Sequence, residues 1–172
     1  HMDRRAGGAV VWQGGAWDDW RNDIGGPGRL NKDGAGWLRL SGNNRFAGAT
    51  LNQGILELDG TNHLTRDITV EGGLLRLNGA LHGSALNVNG GIAQINGRVT
   101  DATTWVGAAG LLSGDGELSH THVQGTLMPG SEHRALTVNG DYQQQAGSTL
   151  IARPGLNLGL PALQVTGTAH LQ

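Results

Sequence analysis

A seven-residue template, Gly-x-Leu-x-Leu-x-Gly, recurs along this chain at a spacing too short to hold a helical repeat and too regular to arise by chance. It reads Gly36-Trp37-Leu38-Arg39-Leu40-Ser41-Gly42, then Gly54-Ile55-Leu56-Glu57-Leu58-Asp59-Gly60, then Gly73-Leu74-Leu75-Arg76-Leu77-Asn78-Gly79. A fourth copy, Gly91 to Gly97, carries Ala93 and Ile95 at the apolar positions, and a fifth, Gly110 to Gly116, keeps Leu112 but loses the second. The opening glycines Gly36, Gly54, Gly73, Gly91 and Gly110 stand 18, 19, 18 and 19 residues apart. Within each copy the alternation puts Leu38 and Leu40 on one face and Trp37 and Arg39 on the other, as a half-buried strand requires.

Repeats of the ankyrin or tetratricopeptide kind are much longer, and the Leu/Asn spacing of leucine-rich repeats is missing. A coil of short strands remains: an all-β fold, a right-handed parallel β-helix built as a single-stranded solenoid. In such a coil like residues stack in columns, Leu38, Leu56, Leu75, Ala93 and Leu112 in one and Leu40, Leu58, Leu77 and Ile95 in the next. The glycines supply positive φ or close backbone approach at the corners, helped by Asn-Gly and Asp-Gly pairs. Leu51, Val70 and Val88 lie three residues before an opening glycine, and Val106 four before, so each rung has at least two inward strands. Nine rungs at about 4.8 Å would make a rod on the order of 43 Å, stabilised rung by rung and needing covers at its open ends.

Composition agrees with a narrow core. The chain of 172 residues has 31 Gly, one Phe and one Tyr, yet 37% of it is apolar, enough to fold if small aliphatic side chains are stacked. His1-Met2 reads as a remnant of cloning. Residues 3–29 are expected to form irregular first coils, with Val10-Val11-Trp12 as a strand and Trp17, Trp20 and Ile24 as anchors. Residues 30–116 carry the regular rungs of 18–19 residues. From Glu117 the period breaks, and residues 117–172 read as a variant C-terminal cap. There Val123 to Met128, Leu136 to Val138 and Leu150 to Ala152 are expected strands, with a loop at Pro154 to Pro161. The strand-like alternation of Leu163 to Leu171 stops abruptly, which leads us to expect that the native chain continues.

Several function classes fit the sequence poorly. A net charge of −2 without a basic run gives no footprint for nucleic acid. The absence of Cys removes disulfides, thiol catalysis and Cys-based zinc sites, and suits a chain that crosses an oxidising compartment unfolded. No apolar run reaches 18 residues, and targeting signals are expected outside this fragment. His120-Thr121-His122 with His133 could face a metal, but exposed histidines on a polar strand explain them as well. Ser131, His133 and Asp141 are the one local Ser/His/Asp grouping, and sequence proximity is no evidence of a triad. Trp12, Trp17, Trp20 and Trp37 could form an aromatic platform for a sugar, although packing at the N-terminal end is the simpler reading. Calcium-binding repeats of the Gly-Gly-x-Gly-x-Asp type are absent, and the scattered acids do not suggest a solenoid polysaccharide lyase or hydrolase. No catalytic, cofactor or metal residue is expected in this fragment.

Two stretches carry a family resemblance. Gly34 to Gly48, with Ser41-Gly42-Asn43-Asn44 before Phe46 and Gly48, resembles the passenger-associated repeat of bacterial autotransporters. Gly125-Thr-Leu127-Met-Pro129-Gly130, Leu136-Thr-Val138-Asn-Gly140-Asp-Tyr142 and Gly147-Ser-Thr-Leu150 resemble the C-terminal autochaperone region of those passengers. Asp23-Ile24 and Leu30 to Gly36 are most similar to passengers preceded by a subtilisin-like serine protease. The resemblance implies a type V secretion parent with an N-terminal effector, this stem, and an outer-membrane β-barrel beyond Gln172. It implies a fragment without enzymatic activity or cofactor, displayed at the bacterial surface or released from it. It also implies partners within the same chain, the effector and the barrel. The alternative is an adhesive passenger whose stem contacts a host molecule, for which a contiguous aromatic or charged stripe on the outer surface would be the sign.

Overall fold

A four-residue strand with one apolar face has no partner within its own rung, so its hydrogen bonds must go to the copy one repeat away. That is the arrangement in the computed structural model, which describes residues 2–4, 10–13, 17–151 and 162–172. Each copy of the template pairs in parallel with the next and in register: Leu38 opposite Leu56, Leu56 opposite Leu75, Leu75 opposite Ala93 and Ala93 opposite Leu112. The chain turns a corner after each strand and returns to the same place one rung higher, in the right-handed sense that strand twist imposes on parallel crossovers.

Three sheets result, of ten, eight and seven strands among the described residues. The first runs through Arg29–Asp33, Gly48–Leu51, Asp67–Val70, Ala85–Val88, Thr104–Val106, Thr121–Val123, Tyr142–Gln144 and Ala169–Leu171. At its N-terminal edge Val10–Gln13 joins in parallel, and Met2–Arg4 then pairs antiparallel to it. The second sheet holds the template strands, from Trp17–Trp20 through Trp37–Leu40, Ile55–Leu58, Leu74–Leu77, Ile92–Ile95 and Leu111–Gly114 to Thr126–Pro129 and Thr149–Leu150. The third comprises Asn44–Phe46, Thr61–Leu64, Ala80–His82, Arg98–Thr100, Glu117–Leu118, Leu136–Val138 and Leu163–Val165.

The third sheet is the main addition to the sequence reading, which found two inward strands per rung. Its strands bury one or two apolar side chains each, such as Leu81, Val99, Leu118 and Val138, between polar neighbours. So sparse a pattern has no period of its own. The rod is also shorter than nine rungs: the third sheet counts seven strands among the described residues, giving about 34 Å at 4.8 Å per rung.

The stack does not change architecture at Glu117. Glu117–Leu118, Thr121–Val123 and Thr126–Pro129 add to the three sheets in turn. The period breaks because corners lengthen: Thr121 pairs with Tyr142, and Leu127 with Leu150, so these rungs take 21 and 23 residues. Val123 to Met128, expected as one strand, is split at Gln124-Gly125 between two sheets. A Cβ on Gly125 would overlap the carbonyl of Gly107, so only glycine fits this corner. Leu163 to Leu171 is likewise two strands in two sheets. Ala152 and the Pro154 to Pro161 loop lie outside the described residues. At the other end, the expected irregular coils already belong to the stack, since Trp17–Trp20 pairs with Trp37–Leu40.

Candidate functional site

The apolar columns are the feature on which everything else depends. Leu38, Leu40, Leu56, Leu58, Leu75, Leu77, Ala93, Ile95 and Leu112 are all buried in one continuous core. Leu127 extends the first column at full burial, and Leu150 ends it half exposed. The fifth template copy lacks its second Leu for a steric reason. Gly114 has φ +118°, and a Cβ there would crowd the Ile95 backbone nitrogen at 2.7 Å; Pro129 pairs with it from the next rung.

The template glycines form two columns with different jobs. The opening glycines Gly54, Gly73 and Gly91 have φ of +73°, +76° and +64°, turning the corner from the first sheet into the second. Gly36 is not among the positive-φ glycines of the described residues, but its carbonyl accepts the amide of Ile55. At Gly110 a Cβ would meet the Val88 carbonyl carbon at 3.0 Å. The closing glycines are required by closeness alone: a Cβ on Gly97 would overlap the Gly79 carbonyl oxygen and lie 2.7 Å from that of Asn78. The amides of Asn96 and Gly97 both donate to the Leu77 carbonyl at 2.9 Å, which draws this corner against the rung beneath it.

Polar groups also enter the core, and periodicity did not reveal them. Asn44 and Asn62 are buried in register in the third sheet, Asn44 Nδ2 donating to Asn62 Oδ1 at 2.8 Å. Asn62 Nδ2 donates on to the Ala80 carbonyl at 3.1 Å, and Asn44 Oδ1 accepts the Ile24 amide at 2.9 Å. Lys32 occupies the inward position below Leu51 and is fully buried. Its Nζ donates to the carbonyls of Asp33, Gly34 and Gln53 at 3.2, 2.7 and 3.1 Å.

Burial pushes the Lys32 ammonium down to about 8 from its ordinary 10.5, against a smaller upward pull from Asp33. The folded state therefore binds this proton more weakly than the unfolded chain. The penalty is fully present below pH 8 and lifts as pH rises towards 10.5. We expect the urea midpoint of the wild type, relative to Lys32→Met, to rise between pH 8 and 10. A constant difference across that window would show that the ammonium is not desolvated.

In the C-terminal coils Leu127, Leu136, Val138 and Tyr142 are buried. The Tyr142 hydroxyl donates to Gln144 Oε1 at 2.9 Å, and burial raises it to about 12. Pro129 sits in the second sheet, while Gly130 (φ +83°) and Gly140 (φ +150°) turn the lengthened corners. The Gly130 to Ala135 excursion is tied back to the preceding rung, because Ser131 Oγ donates to Asp115 Oδ2 at 2.8 Å and Arg134 lies 3.6 Å from Asp115.

The candidate chemical groups are not brought together as reactive sets. Ser131 Oγ accepts the backbone amide of His133 and donates to Asp115, so its proton points to a carboxylate rather than an imidazole. Asp141 accepts the Thr168 amide, and its own amide donates to His120 Nδ1 at 3.0 Å. His122 stacks on Trp105 instead of converging with His120, and no metal-holding group of His, Cys, Asp or Glu occurs among the described residues. Trp17 packs edge-on against Trp37 at 6.2 Å, and Trp37 Nε1 donates to Glu57 Oε2 at 3.1 Å. Trp20 is exposed at the first rung, and the Trp12 side chain lies outside the described residues.

The outer surface does hold one feature the sequence reading named as a sign. Trp17, Trp37, Ile55, Leu74, Ile92 and Leu111 follow one another in register along the outside of the second sheet. Trp17 is 54% exposed and Ile92 41%. Beside this apolar stripe runs a charged one, in which Arg39 pairs with Asp59 and Arg76 approaches Glu57 at 3.9 Å.

Residues 30–58, which make the first two template copies, match the model of the passenger-associated-transport repeat. The chain is similar to an extracellular serine protease of Serratia marcescens, 51% identical over 47 residues that make up 27% of this chain and 4% of that protein. It is also similar to the Neisserial autotransporter lipoprotein NalP of Neisseria meningitidis serogroup B, 37% identical over 98 residues, 56% of this chain and 9% of that protein. The chain thus spans less than a tenth of the length of these relatives. No solved structure matches it significantly. With the passenger repeat lying on the core strands of a parallel solenoid, the chain is a segment of an autotransporter passenger.

Proposed function

We propose that this segment is the non-catalytic stem of its passenger and that residues 117–172 act as its folding, autochaperone-like end. The observation that carries this reading is the unbroken stack: every described rung is a template for the next, down to the half-exposed Leu150 and the 71% exposed Leu171 at the C-terminal face. A rod of this kind grows by adding one rung to an existing edge, so a chain emerging C-terminal end first gains free energy at each step and resists sliding back. The stem then displays an N-terminal effector at the bacterial surface or after release. The name of the Serratia relative favours a serine protease, of the subtilisin-like kind, as that effector, with an outer-membrane β-barrel completing the parent.

Refolding of residues 3–124 tests the folding role. Followed by far-UV circular dichroism, this piece is expected to recover its β signal only when residues 125–172 are added as a separate chain. Full recovery without them would make the C-terminal coils ordinary rungs. The second reading, an adhesive passenger, is favoured by the apolar stripe from Trp17 to Leu111, since exposed contiguous apolar surface marks contact with a partner.

A further inference from the structure

We infer that the basin around Trp105, on the outside of the first sheet, is a binding site for a neutral glycan. Trp105 is 47% exposed. His122, its in-register neighbour one rung on, stacks against it with ring centroids 4.1 Å apart and planes 8° from parallel. Because neighbours in register are displaced along the rod axis, the stack sets the indole across that axis. One face is covered by His122, and the other looks towards the short side chain of Asn87. A basin of about 700 Å³ opens here, floored by Gly83 and Ala85 and rimmed by Arg66, Asp101, His120 and Asn139.

The rim differs from the rest of the surface. Elsewhere outward polar side chains are engaged by the adjacent rung: Arg29 with Asp67, Asn78 with Asp59, Asn96 with Asn78, Gln124 with Gln145. Arg66, Asp101 and Asn139 make no side-chain hydrogen bond among the described residues. Asp101 is the sole non-glycine with positive φ among them, at +54°, a conformation glycine would adopt without strain. The basin therefore presents a donor-only group, an acceptor-only group and an amide that does both, around an aromatic face. Hydroxyls, which donate and accept at once, satisfy all three, and the apolar face of a sugar ring covers the indole. The Arg66 and Asp101 charges cancel, so a sulfated chain would meet Asp101 and a cationic one Arg66. The inference is independent of the stem reading.

The test titrates the full chain by calorimetry with maltohexaose, cellohexaose and chitohexaose, and with heparin as a polyanion. Binding of at least one neutral oligosaccharide is expected. Trp105→Ala should weaken it by roughly tenfold or more. Asp101→Gly should weaken it severalfold while leaving the melting temperature unchanged or higher, since the backbone strain is relieved. Failure of all three neutral probes overturns the proposal, as does binding that survives Trp105→Ala. Binding of heparin alone overturns it in favour of an anion site.

Discussion

Leu75→Asp abolishes cooperative folding of the rod at 25 °C. Leu75 is fully buried midway along its column, with Leu56 on one side and Ala93 on the other. Removing the isobutyl group costs about 2–5 kcal/mol, and a carboxyl group with no hydrogen-bond partner in a dry column adds several more even if it stays protonated. Together these reach the whole stability of an ordinary domain, about 5–15 kcal/mol. The position adds to the effect, because a rod held by nearest-neighbour contacts loses the coupling between its two halves when a central rung fails. Circular dichroism on heating should show no cooperative transition. A melt within a few degrees of the wild type would contradict the inward placement of the column.

Gly97→Ala is expected to cost about 3 kcal/mol or more although it adds one methyl group. The obstacle is backbone, the Gly79 carbonyl oxygen, whose own corner is fixed in the same way by Gly60 one rung below. The substitution therefore forces rungs apart instead of rotating a side chain, and a close-packed interior has little room for that. Gly147→Ala is the control. Nothing lies within 4 Å of its Cβ, so only the unfavourable φ of +88° counts, at about 1 kcal/mol. Denaturant midpoints of the two variants decide the matter; equal losses would mean that the closing glycines serve conformation rather than closeness.

The template strands were legible because their inward residues are uniformly large and aliphatic and repeat at nearly constant spacing. The third sheet was not, because inward Asn44 and Asn62 are polar and read as surface, while Leu81 and Val99 are single apolar residues without a periodic neighbour. Lys32 was hidden for the same reason: a charged side chain in an apolar column is recognisable only when the carbonyls around it are seen. The C-terminal coils were identified by resemblance, but their continuity with the stack was obscured by corner insertions such as Gly130 to Ala135. Trp105 and His122 could have been found by asking which aromatic residues fall in register at the rung spacing, once that spacing was extended past the last template glycine.

The claim that the C-terminal coils seed folding is tested most directly by folding rates of the full chain. Leu56→Ala and Leu127→Ala remove the same group from the same column at full burial, one in the regular rungs and one in the C-terminal coils. Each should lose about 2–5 kcal/mol. If folding starts at the C-terminal end, Leu127→Ala slows folding by about 30-fold or more, whereas Leu56→Ala mainly speeds unfolding. The reverse partition, with Leu56→Ala slowing folding and Leu127→Ala leaving it unchanged, would place the nucleus in the regular rungs and contradict the account.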